Sequence, residues 1–221
     1  MQEHKPFSMR IFVYPALFIL AVAVYKNHTA NSNTLPVETN ASEVRTIIVP
    51  PPNAIKVGEL YAPYYIDENS KLKTIIKNLK ERCSGNEVCE VNQAFSYVSH
   101  IPYVHSDKHR TPVDVIVKNG GDCDEKAQLF ATILIETNHN CVLVYTQDHT
   151  FIAVEIDDGS KVNPNNARLN IEGKAYYYAE TTDPNAYVGK FNGVAFEQIQ
   201  GVYHVNEKRD IQKESIQFIK V

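Results

Sequence analysis

One feature constrains the fold more than any other: the apolar periodicity changes once along the chain. Before residue 138 it runs at helical spacing, and after it at strand spacing. Leu72, Ile75, Ile76 and Leu79 form one apolar stripe, with lysines at 71, 73, 77 and 80 largely off it. A second stripe, Val88, Val91, Phe95 and Val98, follows the Ser84-Gly85-Asn86 turn. Thr111-Pro112-Val113-Asp114 reads as a helix start, with a Thr cap, Pro at the first helical position and Asp at the third. Gly120-Gly121 is expected to end that helix. A new one should run from Asp122-Cys123 to about Thr137, burying Ala127, Phe130, Ala131 and Leu134. Beyond Asn138-His139-Asn140 come β-branched and aromatic runs at 141–146, 149–156, 175–182, 199–205 and 216–221. The first two flank the short Gln147-Asp148 turn, which predicts a hairpin. Helices first and strands second imply an α+β fold, with N-terminal helices packed on an antiparallel sheet.

The front of the chain has another character. His4, Lys5 and Arg10 in the basic start (1–10) precede an apolar run at 11–25, broken only by Pro15. Fifteen helical residues span about 22 Å, short of the roughly 30 Å hydrocarbon core. The run therefore reads either as a signal peptide, with a small-residue site at Ala21-Val22-Ala23, or as an uncleaved transmembrane anchor. That site lies inside the apolar run, which favours the anchor. Either reading sends the rest of the chain across a membrane, so the domain is expected to be membrane-anchored and extracytoplasmic, or secreted after cleavage. Residues 26–52 are rich in Asn, Thr, Ser and Pro and end in Pro50-Pro51-Pro52, which reads as an extended linker. Two sequons, Asn27-His28-Thr29 and Asn40-Ala41-Ser42, fall within it. Residues 53–221 are then long enough for one domain with its own core. They carry 18 basic and 23 acidic side chains, a balance that gives no sign of a nucleic-acid partner.

The cysteines, at 83, 89, 123 and 141, divide by context. Cys83 closes the first helix and Cys89 opens the second, so a disulfide would clamp the helical hairpin, as an exported chain permits. A metal site there would need two of His100, His105 and His109, whose spacing matches no standard zinc pattern. Those three read by default as exposed polar surface, and no metal or cofactor is expected. Cys123 is different. It sits in the first turn of a helix, where the N-terminal dipole favours a thiolate by about 0.3–1 kcal/mol. The preceding glycines would let a substrate backbone approach. Asp122, Asp124 and Glu125 oppose the thiolate, so a histidine partner is required. His149, at the start of a strand beyond a polar turn, can serve as general base. Glu180, ending a later strand, or Asp183 three residues on, could orient the ring. The bland alternatives are a Cys123–Cys141 disulfide, or a buried thiol and a histidine that merely satisfies a turn. Cys141 is expected to be buried and free.

The runs GGDCDEKAQLFATIL, DHTFIAVEI and YYYAETTDP, in that order, resemble the transglutaminase-like superfamily, whose core is a papain-like Cys-His-Asp arrangement. FSYVSHIPYVHSDKHRTPVDVIVKNGGDC resembles the segment that small bacterial and archaeal members carry before the cysteine. The similarity covers about residues 86–190. It implies Cys123 as nucleophile, His149 as base and Glu180 at the position the family fills with Asp. It also departs from the family, because Tyr176 to Tyr178 stand where an aromatic, often Trp, is usual. The Cys123 N–H is one expected oxyanion donor, with Tyr103 or Gln93 as candidates for the second. No acidic calcium loop like that of animal transglutaminases is present, so a calcium requirement is not implied. The expected function is a cysteine-dependent acyl-transfer enzyme on peptide or amide bonds, a hydrolase or a transamidase. The alternative is a catalytically inactive binding module on the same fold.

Overall fold

The computed structural model describes residues 53–58, 60–64, 70–106, 108–157, 162 and 166–219, together with two short strands nearer the N-terminus. Those strands, β1 (Thr34–Val37) and β2 (Arg45–Ile48), pair antiparallel in a unit of their own, residues 1–51, within the stretch read as a linker. The basic start, the apolar run at 11–25 and both sequons lie outside the described residues. No helix among the described residues is long and apolar enough to cross a membrane.

The second unit, residues 52–221, opens with the hairpin β3 (Ala54–Val57) and β4 (Leu60–Pro63). Its turn residue Gly58 has φ +57°, and a Cβ there would meet the Gln200 carbonyl oxygen at 2.8 Å, so only glycine fits without strain. Helices α1 (Ser70–Cys83) and α2 (Glu87–Ser99) form the expected helical hairpin. Asn86 caps α2, its side chain accepting from the Cys89 N–H at 2.9 Å. The Cys83–Cys89 disulfide is formed across this turn, with 5.5 Å between the Cα atoms. Its small loop limits the entropic gain to about 2 kcal/mol. Reduction without other treatment should therefore lower the urea unfolding free energy of this unit by about that amount, and a Cys83→Ser/Cys89→Ser double variant should match the reduced protein.

Helix α3 (Pro112–Lys118) begins as its sequence dictates. The Thr111 and Asp114 side chains satisfy each other's backbone N–H groups, and Pro stands at the first position. Its end differs from expectation. Asn119, at φ 48°, makes the left-handed turn, and the two glycines come after it. Helix α4 (Cys123–Glu136) follows, buried along nearly its whole length.

Strands β5 (Cys141–Tyr145), β6 (Thr150–Glu155), β7 (Arg168–Ile171), β8 (Lys174–Ala179), β9 (Gly201–His204), β10 (Arg209–Ile211) and β11 (Ile216–Ile219) complete an α+β architecture. They form one sheet in the order β10-β9-β5-β6-β8-β7-β11, and every pairing is antiparallel. Its two faces are both apolar because the strands alternate. Leu143, Ile152, Val154 and Tyr177 meet Phe95, Phe130 and Leu134 of the helices. Val142, Phe151, Tyr176 and Tyr178 face a second cluster with Phe191, Phe196 and Phe218. Burying a side chain such as Phe130 contributes about 1.5–3 kcal/mol. Helix α4 packs on β5 and β6. That contact sets the start of α4 against the sheet end where β6 begins and β8 finishes, with Ile152 opposite Ala179.

Candidate active site

Three side chains meet at that end. Cys123 is the first residue of α4, His149 immediately precedes β6, and Glu180 immediately follows β8. The Thr146–His149 turn is closed on itself: the His149 N–H donates to Thr146 Oγ1 at 3.0 Å, and the Thr146 N–H to the His149 carbonyl at 2.9 Å. His149 Nε2 donates to Glu180 Oε2 at 2.6 Å, and Cys123 lies near enough to act on the charge of the ring. With Nε2 given to the acid, Nδ1 is the nitrogen left for the sulfur. Burial of the ring acts to lower its pKa, but Cys123 and Glu180 beside it override this and push it up to about 10.

Glu180 is held as an acceptor on both oxygens. Oε1 accepts from the Thr182 N–H at 3.0 Å and the Thr182 hydroxyl at 2.5 Å. Oε2 accepts from Asn192 Nδ2 at 3.2 Å as well as from the imidazole. Burial would raise this carboxyl, yet the His149 and Thr182 hydrogen bonds hold it below its usual range. Asp183 does not reach the ring in this way; it ion-pairs with Lys190 at 2.9 Å. Asn192 was not signalled by the sequence, because it sits in a loop twelve residues after the acid.

The carboxylates around Cys123 are not the open repulsive cluster that the sequence suggests. Asp122 caps α4, accepting from the Glu125 N–H, and Glu125 Oε2 accepts the Asp122 N–H at 3.1 Å. Glu125 is buried and pairs with Arg110, taking its N–H at 2.6 Å. Asp124 bonds His109 Nδ1 at 3.0 Å, so His109, exposed as expected, is also tied to the frame of the site. Asp122 and Asp124 titrate as a pair, each moving the other in the opposite direction. Burial, then Asp124, pushes Asp122 up to about 8. Asp124 is driven the other way, below its usual value, by His109 and Asp122 against the effect of burial.

A raised acid stabilises the folded state below its unfolded pKa of 3.8 and loses that contribution as pH rises through about 8. Asp122→Asn keeps a capping oxygen and needs no proton. Its melting temperature should depend less on pH between 4 and 8 than that of the wild type, which thermal scans across that range would read.

The two glycines before Cys123 serve the protein itself. A Cβ on Gly120 would meet Val104 Cγ2 at 2.8 Å, and one on Gly121 would crowd Val115 and Lys126. Gly120 admits the protein's own Val104, and Gly121 admits Val115 and Lys126, not a substrate backbone as expected. Gly121 forms a parallel bridge with Tyr103, which is 55% exposed. The Tyr103 phenol lies within the fields of Cys123 and Asp122, which add to burial in raising its pKa. Gln93 is exposed on α2, apart from the buried face of that helix. Lys126, one turn after Cys123, is fully buried, and its ammonium donates to the Ile101 and Ser99 carbonyls at 2.7 and 3.2 Å. Burial pushes its pKa down to about 8. Cys141 is buried and free, its thiol pKa driven up by burial, and Cys123 is free and half-buried.

A cavity of about 400 Å³ opens beside the pair, walled by His149, Glu180, Thr182, Lys190, Phe191 and Asn192. Cys123 is not among its walls. No group of three or more His, Cys, Asp or Glu side chains among the described residues is arranged to hold a metal.

No family model matches the chain, and no curated protein matches it in sequence. Two solved structures are similar in shape. One is Legionella pneumophila LapG in its calcium-bound form, with TM-score 0.40, 14% identity and coverage of 64% of this chain and 78% of that one. The other is a candidate cysteine protease from Cytophaga hutchinsonii, with TM-score 0.37 and 10% identity. That match covers 71% of this chain and 50% of the other, so this chain spans about half that protein's length.

Proposed function

We propose that this chain is a cysteine-dependent acyl-transfer enzyme that hydrolyses peptide or amide bonds, on a papain-like core of the transglutaminase-like type. The observation that carries the reading is the relay from Cys123 through His149 to Glu180, with 2.6 Å between ring and acid. An imidazole held in its charged form around neutral pH, with a cysteine beside it, is what a nucleophilic thiolate requires.

In this reading the Cys123 sulfur attacks the substrate carbonyl carbon and a C–S bond forms. The carbonyl oxygen takes the negative charge beside the Cys123 N–H, which stands at a helix start and has no acceptor within the helix. Collapse breaks the C–N bond, and the imidazolium gives its proton to the leaving amine. The neutral ring then takes a proton from water as the water attacks the thioester. Release of the acid breaks the C–S bond and restores the thiolate–imidazolium pair. Glu180 orients the ring and stabilises its charge throughout. The resemblance to the small bacterial and archaeal members favours hydrolysis of peptides over transfer to an amine. The apolar run at 11–25 would tether the enzyme to a membrane, or export it, with protein or peptide as substrate on the far side.

Alkylation of the full chain by iodoacetamide from pH 5 to 9 tests the pair, with the modified residue mapped by mass spectrometry. Cys123 should label fast below pH 7, and His149→Ala should slow it at least about tenfold there. A rate typical of an ordinary thiol, unchanged by His149→Ala, would leave an inactive binding module instead.

A further inference from the structure

Lys126 is the one lysine buried among the described residues, and the relay of Cys123, His149 and Glu180 makes no use of it. Burying a cation is costly unless acceptors meet its donors. Here two main-chain carbonyls do so, that of Ile101 at 2.7 Å and that of Ser99 at 3.2 Å. Ser99 is the last residue of α2, so its carbonyl is one that a helix leaves without an internal partner, at the end where a cation is favoured. The charge of Glu180, at the end of β8, also favours the ammonium. Lys126 therefore ties α4 to the end of α2 and to the segment that follows it.

That segment leads to the turn before the nucleophile. The Pro102 carbonyl accepts from the Gly121 N–H at 3.2 Å, and the Val104 N–H donates to the Gly121 carbonyl at 3.0 Å. The Lys126 side chain leans back toward the start of its helix and passes the same glycine, where a Cβ would meet its Cγ at 3.3 Å. The backbone of Lys126 acts on the next peptide group. Its N–H donates to the Asp122 carbonyl at 3.0 Å, closing the first turn of α4. The Asp122 carbonyl and the Cys123 N–H belong to one planar trans peptide group, so they point in opposite directions. With the carbonyl fixed along the helix, the N–H is aimed out of its start, where the oxyanion would form. One residue holds this peptide group twice, from behind by its N–H and from in front by its ammonium, through Ile101 to Val104.

We propose that Lys126 is a positioning residue for acyl transfer: its buried ammonium locks the 101–104 segment onto Gly121 and so keeps the Cys123 N–H aimed at the carbonyl oxygen of the substrate. This rests on the acyl-transfer reading for the chemistry at Cys123. Such aiming serves the oxyanion and not the sulfur. A donor displaced by about 1 Å loses much of its catalytic value, while the thiolate keeps His149 beside it.

The test compares two reactions of Cys123 in the full chain. Acylation by p-nitrophenyl acetate, read as the nitrophenolate burst, builds an oxyanion. Alkylation by iodoacetamide displaces iodide and builds none. Dividing the first rate by the second cancels the ionisation of the sulfur. Lys126→Met keeps the reach of the side chain and removes its donors, and should lower the ratio at least about tenfold. Val104→Pro, at an exposed position, removes the N–H that binds Gly121 and should also lower it. Lys126→Arg keeps charge and donors and should stay within about threefold of the wild type. The wild-type ratio should also fall as pH rises through about 8, where burial brings the ammonium to lose its proton, and the Lys126→Met ratio should not. The other titratable groups at this end of α4 are Asp122, Asp124 and Glu125 on the helix, His149 and Glu180 from the sheet, and Tyr103 from the segment. All remain in Lys126→Met, so a fall seen only in the wild type belongs to Lys126. A Lys126→Met protein that melts as a folded chain and keeps the wild-type ratio would overturn the proposal. If that variant does not fold, an unchanged ratio in Val104→Pro or a flat wild-type pH profile would overturn it. A wild type that forms no acetyl-Cys123 would instead overturn the acyl-transfer reading, on which the role of Lys126 depends.

Discussion

Cys123→Ala should abolish acyl-enzyme formation, with a loss of at least about 10⁴-fold in turnover, while leaving the protein folded. Cys123 stands at the first position of α4 and is only half-buried, and Ala is the best helix former for that place. The cap made by Asp122 and Glu125 does not use the sulfur. The variant should therefore keep its melting temperature within a few degrees. Cys141 cannot stand in for the missing nucleophile. It is fully buried on β5, and burial disfavours its thiolate. Turnover of a peptide substrate and thermal melting, measured on one preparation, check both halves of the expectation.

Glu180→Gln should have the next largest effect, a loss of about 10²–10⁴-fold. The reason lies in the partners of each oxygen. Oε1 takes a backbone N–H and a hydroxyl from Thr182, and Oε2 takes the imidazole and the Asn192 amide. All of these are donors, and a carboxylate satisfies them with acceptors on both sides. A glutamine has one acceptor. With its NH₂ toward Thr182, it opposes the Thr182 N–H. With its NH₂ toward His149, it turns the ring to the tautomer that places a proton on Nδ1, and the base is lost. Either way the charge that sustains the imidazolium is gone, so the pH at which activity falls on the alkaline side should drop. Glu180→Asp, one methylene shorter, would open the 2.6 Å contact and should also lose activity. Asp183→Asn should stay within about threefold of wild type, because Asp183 is engaged with Lys190. A pH–rate profile of the four proteins separates these outcomes.

Much of this arrangement is legible in the sequence because it is local. The stripes of α1 and α2, the Thr111–Asp114 cap, the Asp122 start of α4 and the β5–β6 hairpin each follow from a few neighbouring residues. The order Cys123, His149, Glu180 could be read for the same reason, since each marks the end of a recognisable element. What escaped is non-local. Asn192 and His109 act through contacts made only when distant loops converge, and nothing in their own neighbourhoods announces it. Lys126 is hidden among the buried residues of a helix that is covered on almost every side, so no stripe singles it out. The glycines at 120 and 121 carry a real signal of close approach, but the sequence does not say what approaches. The short strands β3, β4, β7 and β10, of three or four residues each, are too brief for alternation to show; β7 and β10 are sustained by pairing with β8 and β9, and β3 and β4 by pairing with each other.

The central claim is that Cys123 carries an acyl group and hands it on. The most direct measurement mixes the full chain with p-nitrophenyl acetate at neutral pH, follows nitrophenolate release in the first seconds, and maps the acetylated residue in acid-quenched samples. The account predicts a burst matched to the enzyme concentration, acetyl on Cys123, and its disappearance as water hydrolyses the thioester. Without Glu180 the burst should slow, and without His149 it should vanish. A linear release with no burst, or acetyl found on lysines while Cys123 stays unmodified, would contradict it.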